Sequence, residues 1–106
     1  MSDINAPVEL NFEWDASKAE INLRKHDVTF ARATQVFSDP LALTVYDEAH
    51  SQYEERWHTM GYDTRGSILL VTHTYQSTSL HTARIRLISA RLANKQERRF
   101  YADEPR

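Results

Sequence analysis

Arginines recur near the end of the sequence at positions where they could hold a phosphate group. Arg84 and Arg86 alternate with Ile85 and Leu87, and Arg91 follows five residues after Arg86. An arginine side chain is always charged and can bind two phosphate oxygens at once. The alternation predicts a strand that carries arginines on one face and apolar residues on the other.

The end of the chain is basic, although the whole chain is slightly acidic. Residues 84–106 contain seven Lys or Arg residues against three acids, whereas residues 1–83 contain six against twelve. Arg91, Lys95, Arg98 and Arg99 follow the last predicted strand and fall on one side of a predicted helix, which has Tyr101 near its end. Such a stripe suits a phosphate backbone and a stacked base. It suits an acidic protein partner equally well, and a plain solvated helix face is just as common.

Other chemistries find less support in the sequence. The chain has no cysteine and only two glycines, so a thiol nucleophile and a glycine-rich phosphate loop are excluded. The five histidines are scattered and predict no metal site, and we expect no cofactor. His73 lies in an apolar strand, where a histidine is more often structural than catalytic. Glu54 and Glu55 could supply a general base, but paired acids at the start of a strand are more often solvated.

The elements that would position these side chains change from helical to extended along the chain. Asp15 and Thr29 are good helix caps, and Gly66 suits a hairpin turn. Residues 11–15 are predicted to be extended, and residues 76–81 are predicted to form a loop. The predicted helices cover residues 16–26, 30–37 and 91–101, and the predicted strands cover residues 41–46, 54–61, 68–75 and 82–90.

This order of elements predicts an α+β fold, in which two N-terminal helices pack on an antiparallel sheet of about four strands and a helix follows at the C-terminus. The two helices would cover one face of the sheet. The other face, with Arg84 and Arg86, would stay wholly or partly open. We expect residues 1–10 to be a polar lead-in and residues 11–106 to form a single domain.

The composition also predicts where the protein works. No apolar run approaches the roughly 20 residues that span a bilayer, so we expect no membrane partner. The first ten residues lack the basic start and apolar core of a signal peptide. Together with the lack of cysteine, these features favour the cytoplasm.

Several motifs in the sequence resemble the BrnT family of bacterial toxins. FEWDASKAEINLRKHDVTF (residues 12–30) is similar to the opening of that family, and VFSDPLALTVYDEAHSQYEERWHTMG (residues 36–61) is similar to its middle. ILLVTHT and IRLISARLANKQERRFYADE resemble its end. The resemblance implies a RelE-like fold, ribonuclease activity and neutralisation by a ribbon-helix-helix antitoxin, BrnA. It also implies that the toxin–antitoxin complex binds operator DNA through the antitoxin.

A ribonuclease of this kind would cut RNA without a metal, by activating the 2′-hydroxyl beside the scissile phosphate. We expect Arg86 and Arg91 to stabilise the crowded phosphorane. His73 is one candidate for proton transfer, with Glu55 and Tyr101 as alternatives. The residues expected to bind RNA are Arg56, Arg65, Arg84, Lys95, Arg98 and Arg99.

The alternative is a non-enzymatic subunit that occupies an antitoxin or the ribosome through its basic surface. Direct DNA binding by this chain is less favoured, because its net charge is negative and it has no recognition-helix motif. The nuclease interpretation requires the cationic side chains of the last strand and helix to converge in space. Guanidinium groups that are scattered over unrelated surfaces, or locked in ion pairs within the chain, would overturn this case for a nuclease.

Overall fold

The computed structural model describes residues 8–105. In chain order the elements are β1 (Glu9–Glu13), α1 (Ala16–His26), α2 (Phe30–Thr34), β2 (Leu43–Tyr46), β3 (Trp57–Tyr62), β4 (Ile68–His73), β5 (Gln76–Ser79), β6 (Thr82–Leu92) and α3 (Lys95–Asp103), with short 3₁₀ turns at Gln35–Ser38 and Glu48–His50. Glu9 and Leu10, predicted to belong to the lead-in, are part of β1, and residues 1–7 lie outside the described residues.

The first two helices begin where the sequence predicts. The Asp15 carboxylate accepts a hydrogen bond from the backbone N–H of Lys18 at 3.0 Å, which caps α1. This helix ends at Asp27, whose φ of 57° is left-handed. Thr29 caps α2, but the α-helical part is shorter than predicted and continues as the 3₁₀ turn Gln35–Ser38. Pro40 follows two residues later and prevents further extension.

The sheet differs from the prediction in strand number and direction. The strand order is β1-β6-β4-β3-β2, and β5 pairs with β6 off this path, so residues 8–105 form six strands rather than about four. The pairing of β1 with β6 is parallel, which makes the sheet mixed rather than antiparallel. The predicted loop at residues 76–81 contains β5. Its residues are all exposed and polar, so no apolar alternation marks it in the sequence.

The C-terminal helix begins later than predicted. β6 continues to Leu92 because its last residues pair with Leu69 and Leu70 of β4. Asn94 then caps α3, since its side chain accepts a hydrogen bond from Glu97 N and the Glu97 carboxylate accepts one from Asn94 N. Arg91 is therefore a strand residue and not part of the helical stripe.

The two faces of the sheet carry different helices. As predicted, α1 and α2 cover one face, where the main core contains Val28, Phe30, Ala33, Val36, Leu69, Val71, Ile85, Leu87 and Ala90. A second cluster on the other face joins Met60 and Ile68 to Ala93 and Tyr101, and so brings α3 against the sheet. That second face, called here the α3 face, is only partly covered. None of the helices in residues 8–105 has the length and apolar character needed to cross a bilayer.

A bulge in β6 decides which side chains share the α3 face. Thr72 pairs with Ser89, but the next residue, His73, pairs with Leu87, so Ile88 is an extra residue in β6. In a regular strand, residues five apart point to opposite faces. Because of the extra residue, Arg86 and Arg91 both lie on the α3 face.

Asn22 of α1 anchors the strand just beyond this bulge. Its side-chain amide donates to the carbonyl oxygens of Val28 and Ala90, both at 2.9 Å, and its carbonyl accepts from Ala90 N at 3.0 Å. The side chain is buried, and its hydrogen bonds satisfy the edge of β6 where β1 no longer pairs with it. This contact fixes the part of β6 that carries Arg91.

Candidate functional site

The first charged cluster of the α3 face is centred on Glu54. The Glu54 carboxylate accepts a hydrogen bond from Arg86 Nη2 at 2.5 Å and lies 3.5 Å from Arg56 Nη2. The hydrogen bond from Arg86 holds the pKa of Glu54 below its usual range. The side chains of Arg86 and Glu54 are 33% and 40% exposed, so solvent reaches the pair.

A groove of about 350 Å³ opens beside this cluster. Its lining combines cations and acids, namely Arg84, Arg86, Glu13, Glu54 and Glu55. Arg84 lies 3.8 Å from Glu13 and donates to Gln76 at 3.4 Å, so it is only loosely held. The Nε atom of Arg56 is buried and has no hydrogen-bond partner within residues 8–105. The guanidinium groups of this cluster therefore keep donor capacity for a further anion.

The second charged cluster joins the end of β6 to α3. Arg91 makes two parallel hydrogen bonds to Glu97, at 2.8 and 2.9 Å. These bonds lower the pKa of Glu97 and raise that of Arg91. Leu70 lies opposite Arg91 and Thr74 bonds to Arg86. Leu70 and Thr74 are four residues apart in the chain. At about 3.3 Å per extended residue, their partners Arg91 and Arg86 are therefore roughly 13 Å apart along the sheet.

Farther from β6, where β2 and β3 pair, a buried carboxylate contacts two histidines. Asp47 follows β2 directly and is 7% exposed. His50 Nδ1 lies 3.1 Å from Asp47 Oδ2, and His58 Nε2 lies 3.1 Å from the same oxygen. His58 Nδ1 is 2.9 Å from the hydroxyl of Thr72. Burial would raise the pKa of Asp47, but its hydrogen bond with His50 and the nearby imidazoles lower it overall.

The sequence prediction missed this cluster. Its only local signal is the spacing of Asp47 and His50, which a single 3₁₀ turn brings onto one side. His58 joins them through strand pairing, since it lies opposite Val45 at the end of β2. His58 also lines a groove of about 440 Å³ between the sheet and α3, together with Arg91, Glu97 and Phe100.

A comparison with known families decides what kind of chain carries this face. The family model described as "Ribonuclease toxin, BrnT, of type II toxin-antitoxin system" matches residues 14–97. The chain belongs to the BrnT family. The resemblance drawn from the sequence motifs is therefore confirmed.

A solved structure supports the fold of this BrnT-family chain. The crystal structure of the Brucella abortus ribonuclease toxin BrnT matches it with a TM-score of 0.57 and 21% identity, covering 83% of this chain and 100% of that chain. At this identity the match supports the fold and nothing finer. No protein of curated function matches the chain by sequence.

Two of the proton-transfer candidates named from the sequence are buried. His73 lies on the face covered by α1 and α2, where it contacts Thr59 Oγ1 at 2.7 Å and packs edge-on against Phe37. Burial lowers its pKa, and the sheet separates it from Arg86. Tyr101 is buried in the second cluster, and its hydroxyl donates to Asp39 at 2.5 Å. Glu55 does line the groove beside Arg86.

The predicted RNA-binding residues are spread over the surface. Arg56 and Arg84 lie near Arg86, whereas Arg65 lies in the hairpin turn at the other end of β4. Lys95, Arg98 and Arg99 are exposed on α3, and none of them lines the groove beneath that helix. Arg98 donates to the carbonyl oxygen of Ala93 at 2.7 Å.

The arginines of this BrnT-family chain therefore do not form one free cluster. Arg86 and Arg91 share a face, but each is held in an ion pair with a glutamate of the same chain. The prediction that these guanidinium groups converge as free phosphate ligands is therefore wrong. A phosphate group can bind either arginine only if the ion pair of that arginine with its glutamate opens.

Proposed function

We propose that the chain is a metal-independent endoribonuclease toxin that acts in the cytoplasm, cuts RNA and arrests growth. The match to the BrnT family over residues 14–97 carries this proposal. The partly open α3 face, which carries two arginine–glutamate pairs and a buried Asp–His cluster, supports it from the structure.

In the proposed reaction the RNA supplies its own nucleophile. The 2′-hydroxyl loses a proton and attacks the adjacent phosphorus, and the bond from phosphorus to the 5′ oxygen breaks. Negative charge builds up on the phosphorane oxygens, and Arg86 is the group that stabilises it, with Arg56 and Arg84 beside it. Glu55 lines the same groove and is available to orient the substrate.

The ion pair with Glu54 does not prevent this role. Exposed ion pairs contribute only about 0 to 1 kcal/mol, so a phosphate can displace Glu54 at little cost. A phosphate also offers arginine the same two-oxygen geometry as a carboxylate. Arg91, roughly 13 Å farther along the sheet, would contact a neighbouring part of the RNA. Arg65, Lys95, Arg98 and Arg99 would add weaker, non-specific attraction.

The proposed inhibitor is a BrnA-like ribbon-helix-helix antitoxin. An acidic segment of this partner would cover the arginines of the α3 face and exclude RNA. The complex would bind operator DNA through the antitoxin. This chain is a poor DNA ligand by itself, because its net charge is −2 and its sequence contains no recognition-helix motif.

A cleavage assay with purified protein tests the enzymatic part of the proposal. The chain is purified with its antitoxin, separated from it and refolded, and then incubated with RNA in the presence of a chelator. We expect cleavage that the chelator does not reduce and products that end in 2′,3′-cyclic phosphate and 5′-hydroxyl groups. Loss of activity on chelation, restored by one added metal, would refute metal independence.

The second candidate is a non-enzymatic binding subunit. One observation favours it, namely that both Arg86 and Arg91 are already paired with acids. Induced expression separates the two functions, because a ribonuclease degrades transcripts as growth stops whereas a binding subunit leaves RNA intact. Growth arrest with full-length transcripts would therefore favour the second candidate.

A further inference from the structure

Asp47 fixes the protonation pattern of the two histidines that contact it. An ionised carboxylate accepts hydrogen bonds and cannot donate them. The neighbouring atoms, His50 Nδ1 and His58 Nε2, must therefore both carry hydrogen. When the rings are neutral, His50 is the Nδ1–H tautomer and His58 is the Nε2–H tautomer. One carboxylate thus holds two imidazoles in opposite tautomers.

The two histidines differ in whether a ring nitrogen is left free to accept a proton. His58 uses both ring nitrogens, because its Nδ1 accepts from the Thr72 hydroxyl, and its side chain is 27% exposed. His50 is 69% exposed, and its Nε2 makes no hydrogen bond with any residue from Val8 to Pro105. The lone pair of a neutral ring therefore faces solvent at His50 alone of these two. A buried carboxylate behind an exposed imidazole is one arrangement in which a histidine acts as a general base.

The loop that carries His50 also carries the acid that holds Arg86. Its ends are joined by a hydrogen bond from Asp47 N to Arg56 O at 2.9 Å. Ser51 closes it further, since its hydroxyl donates to Asp47 O and accepts from Arg56 N at 3.0 Å. Glu54 lies on the same closed loop. The proposed proton acceptor and the partner of the proposed phosphate ligand thus belong to one loop that these hydrogen bonds close.

We propose that His50 is the general base of RNA cleavage and that Asp47 positions it, an inference that rests on the proposed ribonuclease function. His50 Nε2 takes the proton of the 2′-hydroxyl as the bond from the 2′ oxygen to phosphorus forms. The bond from phosphorus to the 5′ oxygen breaks, and that oxygen takes a proton from water. The imidazolium, stabilised by the Asp47 carboxylate, then returns its proton to the hydroxide. The step needs no metal, oxidant or other co-reactant.

Substitution of His50 tests the base directly. In His50→Asn the amide N–H still reaches Asp47, but the group cannot take a proton. We expect cleavage to slow about 10² to 10⁴-fold while RNA binding changes little. The matched control is His81→Asn, in the turn between β5 and β6, which should cleave like the parent. A His50→Asn variant that cleaves at the parental rate overturns the inference.

Two further measurements separate catalysis from a structural role. Added imidazole should restore part of the rate of His50→Ala and none of the rate of Arg86→Ala. The rate of the parent should fall as the pH drops, since protonated His50 cannot act as a base, and His50→Asn should lack this dependence. The charged groups facing His50 in these experiments are Asp47 and, across Asp47, His58 from β3. No rescue and an unchanged pH profile would contradict the inference.

Nitrogen NMR of the imidazole rings tests the positioning role of Asp47 without any RNA. The parent should show His50 as the Nδ1–H tautomer and His58 as the Nε2–H tautomer, and in Asp47→Ala, which removes the acceptor, the His50 ring should lose its preference. An unchanged His50 tautomer in Asp47→Ala overturns the positioning role. If the parent cleaves RNA and His50→Asn does too, only this inference fails. If the parent cleaves no RNA, the ribonuclease proposal fails and the inference fails with it.

Discussion

Arg86 and Arg91 form two arginine–glutamate pairs on one face of the sheet, but the two glutamates are held differently. Glu97 makes two hydrogen bonds to Arg91 and also accepts one from Asn94 N, so it caps α3 at the same time. Glu54 lies in a loop, is 40% exposed and is shared between Arg86 and Arg56. Opening the Arg91 pair would uncap a helix, whereas opening the Arg86 pair disturbs only a loop side chain. Two arginine–glutamate pairs on one face can thus have different roles. The Arg91–Glu97 pair stabilises the start of α3, whereas the Arg86–Glu54 pair can open to bind a ligand.

The sharpest way to break this comparison is to remove each arginine in turn. Arg86→Ala should slow RNA cleavage about 10² to 10³-fold, because it removes the donor nearest the proposed phosphorane. Arg91→Ala should slow it less than about tenfold, since that residue lies farther along the RNA and mainly holds α3.

Cleavage rates measured at saturating RNA would decide the point, with Arg24→Ala on the exposed side of α1 as a charge-matched control. Circular dichroism should show that Arg86→Ala keeps the fold. Equal losses in the two variants would contradict the division of roles, and a parental rate in Arg86→Ala would remove that residue from the mechanism.

Asn22 should make the largest single difference to stability at the Arg91 end. Asn22→Ala leaves the backbone N–H and C=O of Ala90 without their side-chain partner in a buried position. We expect the free energy of unfolding to fall by about 2 to 3 kcal/mol. Denaturant titration would measure it, and Asn11→Ala, at an exposed position of β1, should cost far less. A small loss at Asn22 would mean that β6 does not depend on this anchor.

Two substitutions of Glu97 separate its cap from its ion pair. Glu97→Gln keeps a group that can accept from Asn94 N but loses the charge, and we expect a loss of about 0.5 to 1 kcal/mol. Glu97→Ala loses both and should cost about 1 to 2 kcal/mol. Thermal unfolding would measure these losses of stability, and Glu54→Gln should lose less stability than either Glu97 variant. A larger effect at Glu54 would reverse the assignment of the structural pair.

Acid should weaken the structural pair in a defined direction. The hydrogen bonds from Arg91 lower the pKa of Glu97 in the folded state, so its contribution is complete above the ordinary glutamate pKa and is lost as the pH falls through the lowered value. The difference in unfolding free energy between the parent and Glu97→Gln should therefore shrink on acidification. Urea titrations at several pH values below neutrality would follow it, and a difference that grows in acid would contradict this sign.

The sequence predicted those features whose causes are local. Asp15 and Thr29 mark helix starts by their own side chains, and Gly66 has the positive φ of 82° expected in its turn. The edge strand β5 escaped prediction because its residues are polar and exposed on every side. β1 was read as extended, but nothing within residues 11–15 states that its partner is β6 or that the pairing is parallel.

The candidate site was predicted only in part, because its geometry depends on pairing between distant residues. Arg86 and Arg84 were placed on the open face by simple alternation, which the structure supports. The ion pairs of Arg86 with Glu54 and of Arg91 with Glu97 require knowledge of the loop and of the α3 cap. Asp47 and His58 meet only after β2 and β3 pair, so no reading of either segment alone would join them.

The single unpaired residue at Ile88 makes the outer half of the last strand sensitive to chain length. Removing one residue there would turn the later residues of β6 to the opposite face, so that the Arg91 guanidinium, now paired with Glu97 on the α3 face, would point towards the apolar core. Sequence upstream of that point would keep its partners. An insertion or deletion of one residue at Ile88 would therefore move every later side chain of β6 to the opposite face of the sheet. Homologues that differ in length here should display different charges on the α3 face.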